Sequence, residues 1–334
     1  MASVSVSPTG VAAQYSLTTS TSLPFPTATQ SSQDASTFIT SQWSLFNGRL
    51  SWGGDNLAFV SDPFPNNPVA GSSTTSPNPV LQINYPAGSY SGGTGGAQWY
   101  TQWNASDGTT FNSMLLSYEL AFDSDFNWVK GGKLPGLRGG PNTSSCSGGS
   151  QPTGNDCFST RLMWRTGGAG EVYAYLLQPN NLCSQGNIIC NSDFGISIDR
   201  GTFYFATGQW MRITMFVQMN DPPDVANGNL VLYFDDVQTI SEQGLQFRSG
   251  TAVNVGGLYF SCQTLLLGSD DSWATPQSVN TYYRNFQLYG SSLPSNLTGQ
   301  QVSSNVAPPL RLSPTTAVLA VLIAFALHLT WYGT

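Results

Sequence analysis

Short apolar runs, alternating in polarity and cut by turn residues, constrain this chain more than any other feature. Ser113 to Phe122 is the clearest case. Met114, Leu116, Tyr118 and Leu120 alternate with Ser113, Leu115, Ser117 and Glu119, and a period of two puts each set on its own face of a strand. Leu57 to Val60 ends before Asp62-Pro63, and Val80 to Tyr85 ends before Pro86-Ala-Gly88. Further candidate strands are Gly195 to Asp199, Trp210 to Asn220, Gly228 to Asp235, Gly257 to Cys262 and Thr281 to Tyr289. Asn227-Gly228 is a hairpin signal between two of them. No stretch before the C-terminal tail shows sustained helical periodicity. Many short strands without helices imply an all-β fold, a sandwich of two antiparallel sheets or a jelly roll.

Composition agrees. Among 334 residues there are 35 Gly and 20 Pro, aromatics make up 12%, and charged residues only 9%. With so few charges, a cluster of them is informative. The chain's only lysines, Lys130 and Lys133, fall close to Arg138, Arg161 and Arg165. An acidic protein, net charge −7, that concentrates cations this way is building a site for an anion. The same acidity argues against a nucleic-acid partner, which needs a broad basic surface.

The expected organisation has four parts. Residues 1–35 read as a Ser/Thr-rich leader, disordered or extended; residues 36–292 form the β domain; 293–314 are a polar linker; 315–334 are a hydrophobic tail. The tail's apolar run, Ala317 to Trp331, follows a spacer and the small residues Ser303-Ser304-Asn305, the order of a GPI-attachment signal, with a short membrane anchor as the rival reading. A GPI anchor requires entry into the secretory pathway, yet Met1 to Gln30 carries no apolar h-region; the expectation is that the true start lies elsewhere. Cys146 with Cys157, and Cys183 with Cys190, have spacings that suit local disulfides in an oxidising compartment, leaving Cys262 odd. A zinc site is the weaker alternative. Sequons at Asn104, Asn142 and Asn296 fit a secreted or cell-surface glycoprotein.

Alternation also places the charged cluster. Ser159, Arg161, Met163 and Arg165 share one face of a strand, and Glu171, Tyr173 and Tyr175 one face of the next. The short Gly-rich segment 166–170 lets these strands pair, with Arg161 near Tyr173. Trp210 to Asn220 repeats the pattern, so Arg212, Gln218 and Asn220 are expected to join Lys130, Arg165 and Glu171 in binding substrate. The only histidine, His328, lies in the tail, which disfavours a Ser-His-Asp triad. Only three glutamates are present, Glu119, Glu171 and Glu242, which disfavours a two-carboxylate glycosidase, though aspartates leave that route open. Cations and tyrosines suit β-elimination on a uronic acid. A cation neutralises the carboxylate as charge develops, one group removes the neighbouring proton, and another protonates the departing oxygen. No cofactor is needed. Asp235-Asp236 and Asp270-Asp271 lack the spacing of a calcium loop and read as turn residues.

The motifs Lys130-Gly-Gly-Lys-Leu-Pro-Gly-Leu137, Ser159-x-Arg161-x-Met-Trp-Arg165 and Glu171-x-Tyr173-x-Tyr175 resemble polysaccharide lyase family 14. Ser272-Trp-Ala-Thr-Pro276 and Tyr282 to Leu288 are similar to its fungal members. The resemblance spans about residues 40–290 and implies a concanavalin-like β-jelly roll that cleaves alginate or a glucuronate polymer. It implies that Lys133 and Arg161 bind and neutralise the uronate carboxylate. Ser159 would assist binding, and Tyr173 and Tyr175 would supply acid and base, in an order left open. Thr264 to Gly268 departs from the family pattern. The expected partner is an acidic polysaccharide, the expected state a monomer, and the tail a route to a membrane. The alternative from another class is a lectin-like cell-wall protein that binds without cutting.

Overall fold

Strands that alternate in polarity bury one side and leave the other to be covered or solvated, and this chain does both. The computed structural model describes residues 4–72, 78–179, 181–263 and 271–302. In chain order these residues form α1 (Pro8–Gln14), β1 (Thr19–Ser22), α2 (Ser32–Gln42), β2 (Leu57–Val60), β3 (Val80–Tyr85), β4 (Ala97–Gln102) and β5 (Ser113–Phe122). Next come β6 (Gly131–Gly139), β7 (Phe158–Arg165), β8 (Gly170–Tyr175), β9 (Ile188–Ile189), β10 (Ile196–Ile198) and β11 (Trp210–Gln218). The last are β12 (Val225–Ala226), β13 (Gly228–Phe234), β14 (Val237–Leu245), β15 (Val255–Cys262), β16 (Val279–Ser291) and β17 (Gln300–Gln301). The tail, His328 and Thr264 to Gly268 lie outside the described residues.

Two antiparallel sheets make a jelly-roll sandwich. The outer sheet runs β14-β13-β11-β5-β16-β3-β2, with β1 added beside β16; the inner sheet runs β4-β15-β6-β7-β8-β10-β9. Met114, Leu116 and Leu120 of β5 and Ile213 and Met215 of β11 meet Leu134, Leu162, Trp164, Val172 and Phe260 of the inner sheet in one core. Each such side chain contributes roughly 1.5–3 kcal/mol on burial. Strand pairing matches the expectation for the central hairpin: Arg161 lies opposite Tyr173.

Pro135 sits inside β6, between β15 and β7, where a proline is tolerated only at a bulge. The register slips there between Leu134 and Gly136. The slip reverses the phase of the strand, so Lys133 opposes Met163 while Arg138 opposes Ser159, and both cations emerge on the same face. Strict alternation would have separated them. The Pro135 carbonyl accepts a hydrogen bond from Tyr118 Oη at 3.0 Å across the core.

The leader is not disordered from residue 4 onward. Leu115, Phe216, Val231 and Tyr233 form an apolar patch on the outer face, and Val11, Ala12 and Leu17 cover it, with Tyr15 stacked on Phe216 at 3.9 Å. Helix α1 starts with Pro8 after Ser7, whose Oγ accepts from Gly10 N at 3.3 Å, a favoured helix start. Helix α2 packs Ala35 and Ile39, followed by Trp43, into the main core. The expected linker also begins later: β17 pairs with β12, and Asn227 Nδ2 donates to the Leu297 carbonyl at 3.0 Å. The tight turn falls at Asp235-Asp236 rather than Asn227-Gly228. Both aspartates have positive φ, as a two-residue turn between β13 and β14 requires.

Strand β11 belongs to the outer sheet, which corrects three expected binding residues. Arg212 faces Glu119 across the β5–β11 pair. Glu119 bonds Arg212 at 3.0 Å and Arg284 at 2.7 Å, while Arg212 reaches Asp236 at 2.7 Å. Gln218 pairs in the same sheet. Asn220 is buried, its amide donating to the Pro223 and Arg248 carbonyls and accepting from the Phe247 and Arg248 N–H groups. These residues hold the outer layer together. Removing one partner from a buried ion network strands the others, so Glu119→Ala is expected to cost about 3 kcal/mol. Chemical denaturation will read this as a lower midpoint, with the active-site geometry unchanged.

Candidate active site

The free face of the inner sheet carries the cluster. Cross-strand register sets Tyr100, Tyr259, Gly136, Arg161, Tyr173 and Ser197 in one row. Arg138, Ser159 and Tyr175 make a second row, and Lys133, Met163 and Glu171 a third. The other sides of these strands feed the core, which fixes the cluster on a rigid platform.

Arg161 is the centre. Its side chain is 0% exposed, it lies 4.5 Å from the Tyr259 ring centroid and 5.6 Å from that of Tyr173, and Nη1 donates to Ser261 Oγ at 3.2 Å. Nε and Nη2 have no hydrogen-bond partner among the described residues. Buried guanidinium groups elsewhere in the protein are paired with carboxylates: Arg165 with Glu171, Arg212 and Arg284 with Glu119, Arg248 with Asp221. Lys133, Arg138 and Arg161 have no carboxylate partner among the described residues. Burying unpaired charge is costly, so three basic side chains on one face without carboxylates point to an anion as the missing partner.

The titratable groups are pushed apart. Burial, with Arg161 and Arg165 nearby, holds the Lys133 ammonium well below the ordinary lysine range. Burial and the adjacent Tyr175 push the Tyr173 phenol up, with Arg161 pulling the other way. For Tyr259, burial raises the value, but Arg161, hydrogen bonds with Ser147 and Tyr100, and Arg138 outweigh it, leaving the phenol below the usual range. The hydroxyls of Tyr173 and Tyr175 are 3.3 Å apart. Backbone N–H groups donate to each, Gly195 to Tyr173 at 3.1 Å and Gly149 to Tyr175 at 2.9 Å. Gly195 is a necessary close approach: a Cβ there would lie 2.8 Å from the Tyr175 ring and 3.0 Å from Tyr173.

The loop closed by the Cys146–Cys157 disulfide forms one wall. Ser159 is fully buried and donates to the Cys146 carbonyl at 2.7 Å, so it anchors the wall rather than facing substrate directly. Ser147 Oγ meets the Tyr259 hydroxyl at 2.9 Å, and Arg138 donates to the Asn142 carbonyl at 2.6 Å. The second expected disulfide, Cys183–Cys190, is also formed, and Cys262 is free and buried. Glu171 is buried between Arg165 and Arg200 and supports them rather than meeting an anionic sugar. Lys130 donates to Ser272 Oγ at the rim.

Lys133, Arg161, Tyr173, Tyr175, Arg165 and Lys130 therefore converge, while Arg212, Gln218 and Asn220 do not. Sequence reasoning missed Tyr100, Tyr259, Ser261, Gln98 and Arg200. A signal existed for four of them. Tyr259 and Ser261 alternate with Leu258, Phe260 and Cys262, and Gln98 and Tyr100 with Ala97 and Trp99, the same polar-over-apolar pattern as β7 and β8.

Comparison with known proteins agrees with this geometry. The PL-14 alginate lyase from Aplysia kurodai is 29% identical, with a TM-score of 0.65, covering 82% of this chain and 98% of its own. Alginate lyase Aly36B shares the fold at 15% identity and a TM-score of 0.56, covering 84% and 98%. Alginate lyase vAL-1 from Chlorella virus does so at 18% and 0.53, covering 72% and 95%. No curated protein sequence matches the chain significantly. Residues 73–286 match the polysaccharide lyase 14 family. With the lyase fold and its cationic, tyrosine-lined face both in place, the chain belongs to polysaccharide lyase family 14.

Proposed function

We propose that this lyase cuts an acidic polyuronate, alginate or glucuronan, by β-elimination on the inner-sheet face. The observation that carries the reading is the buried Arg161, whose Nε and Nη2 have no partner among the described residues. A uronate carboxylate supplies the missing acceptor in bidentate form. It also receives the charge that develops when the adjacent carbon loses its proton.

Opposite displacements of two titratable groups support an acid/base division. A lysine held well below its ordinary range gives up its ammonium proton more readily and so can act as a base; a tyrosine held above its range keeps its proton to give. In this reading Lys133 removes the proton next to the carboxylate. The electron pair forms a carbon–carbon double bond, the glycosidic carbon–oxygen bond breaks, and Tyr173 protonates the departing oxygen. Tyr175, hydrogen-bonded to Gly149 N–H and beside Tyr173, sets the orientation of that acid. Lys133 thus becomes a base rather than a second neutralising cation. Activity should rise with pH as the Lys133 ammonium loses its proton and fall again when Tyr173 ionises.

Mass spectrometry of the products tests the reaction class. Elimination yields an oligomer one water lighter than the hydrolysis product. Full-mass oligomers would point to an aspartate hydrolase, and an uncut but bound polymer to the lectin-like alternative.

An extracellular location is part of the same proposal. Two disulfides support it, as do sequon asparagines Asn104, Asn142 and Asn296, all exposed. Attachment through the tail remains a proposal on the sequence pattern alone. Shifted migration after glycosidase treatment checks the sequons.

A further inference from the structure

Beyond Tyr173, on the side away from Tyr259, the face opens into a cavity of about 230 Å³ lined by Arg165, Tyr173, Ser197, Arg200 and Trp273, among others. The elimination chemistry uses only Tyr173 of these. At its floor one buried carboxylate holds two guanidinium groups. Glu171 Oε1 accepts from Arg165 Nε and Nη2 at 2.9 and 2.5 Å; Oε2 accepts from Arg200 Nε at 2.5 Å and Ser197 Oγ at 2.6 Å. Both oxygens are occupied, and Glu171 is 0% exposed. Two cations against one anion leave a net positive charge facing the cavity.

Arg200 is 39% exposed, and only its Nε is engaged among the described residues, so its outer N–H groups are free for a ligand. Trp273 closes the other side. It packs against the buried cluster of Cys146, Cys157, Met163, Tyr173 and Tyr175, with Lys130 Nζ 5.7 Å from its ring. An aromatic face beside a charged fork is the equipment for a sugar bearing a carboxylate: the ring packs on the sugar's apolar side, and the fork takes the charge.

Register gives the spacing. Ser197 lies two strands from Arg161, through Tyr173, which is about 10 Å at ordinary strand separation. One uronate unit carries one carboxylate, so an anion here belongs to a different unit from the one held by Arg161.

We propose that this cavity is a second uronate subsite, in which Arg200 and Arg165 bind the carboxylate of a neighbouring unit of the same polymer and Trp273 packs on its ring. Glu171 is the positioning residue that orients both arginines. The inference rests on the polyuronate reading and adds where a second sugar is gripped.

Calorimetric titration of uronate oligomers of increasing length tests it, using the full chain with Lys133→Arg to prevent turnover. Affinity should step up about tenfold, roughly 1.4 kcal/mol, at the length that first fills the cavity. Adding Arg200→Ala or Trp273→Ala should abolish that step and leave shorter oligomers bound as before; Arg200→Lys should restore part of it. Neutral oligomers should show no Arg200-dependent step. If the step survives Arg200→Ala, or all lengths weaken equally, the subsite is overturned while the polyuronate reading stands. No binding at any length, with no unsaturated product from the unmodified enzyme, would overturn both.

Discussion

Lys133→Arg should lower kcat by about 10³-fold, within the range that a positioned general base contributes. The substitution is diagnostic because it keeps the positive charge. If Lys133 only neutralised the substrate carboxylate, an arginine at the same bulge-directed position would retain much of the activity. If it takes the proton, an always-protonated guanidinium cannot do so at any accessible pH. The rising limb of the pH–rate profile, which depends on an ammonium held low by burial, Arg161 and Arg165, should disappear with it. A variant that keeps a third or more of the kcat would return Lys133 to the neutralising role. Stability provides a cross-check on sign. A lysine with a depressed native pKa binds its proton more readily when unfolded, so its penalty grows as pH falls below the unfolded value and levels off beneath the folded one. Lys133→Met should flatten that part of the stability curve.

Arg161→Met should separate activity from stability. The guanidinium is wholly buried with two nitrogens lacking partners among the described residues, a condition that costs about 1–3 kcal/mol per unsatisfied buried group. Methionine fills similar volume without that penalty. The variant is therefore expected to unfold at higher denaturant, by 1 kcal/mol or more, while kcat/KM falls by about 10²–10³-fold with the loss of transition-state charge stabilisation. Active sites carry such strain because substrate relieves it. If Arg161→Met is both inactive and less stable, Arg161 is a structural residue and the anion receptor is misassigned.

The sandwich and the β7–β8 face were legible because both rest on period-two alternation over adjacent strands. Arg161 opposite Tyr173 followed from the short connection at 166–170. Alternation says which residues share a face, not which sheet the strand joins. For that reason Arg212, Gln218 and Asn220 were drawn into a site that lies on the other layer. The bulge at Pro135 was equally invisible to strict alternation, yet it alone brings Lys133 and Arg138 to one side. Helix α2 left a trace in Ala35, Ile39 and Trp43, spaced four apart, but three residues in a Ser/Thr-rich context make a weak stripe. Arg200 could not be found from sequence, since its role comes from a long-range meeting with Glu171.

The most direct measurement is the ultraviolet absorbance of the conjugated unsaturated uronate, followed as the purified protein acts on alginate and, separately, on glucuronan. The account predicts rising absorbance on one of these polymers and a flat trace for Lys133→Arg and Tyr173→Phe. A flat trace for the unmodified enzyme on both polymers, with measurable binding to either, would contradict it.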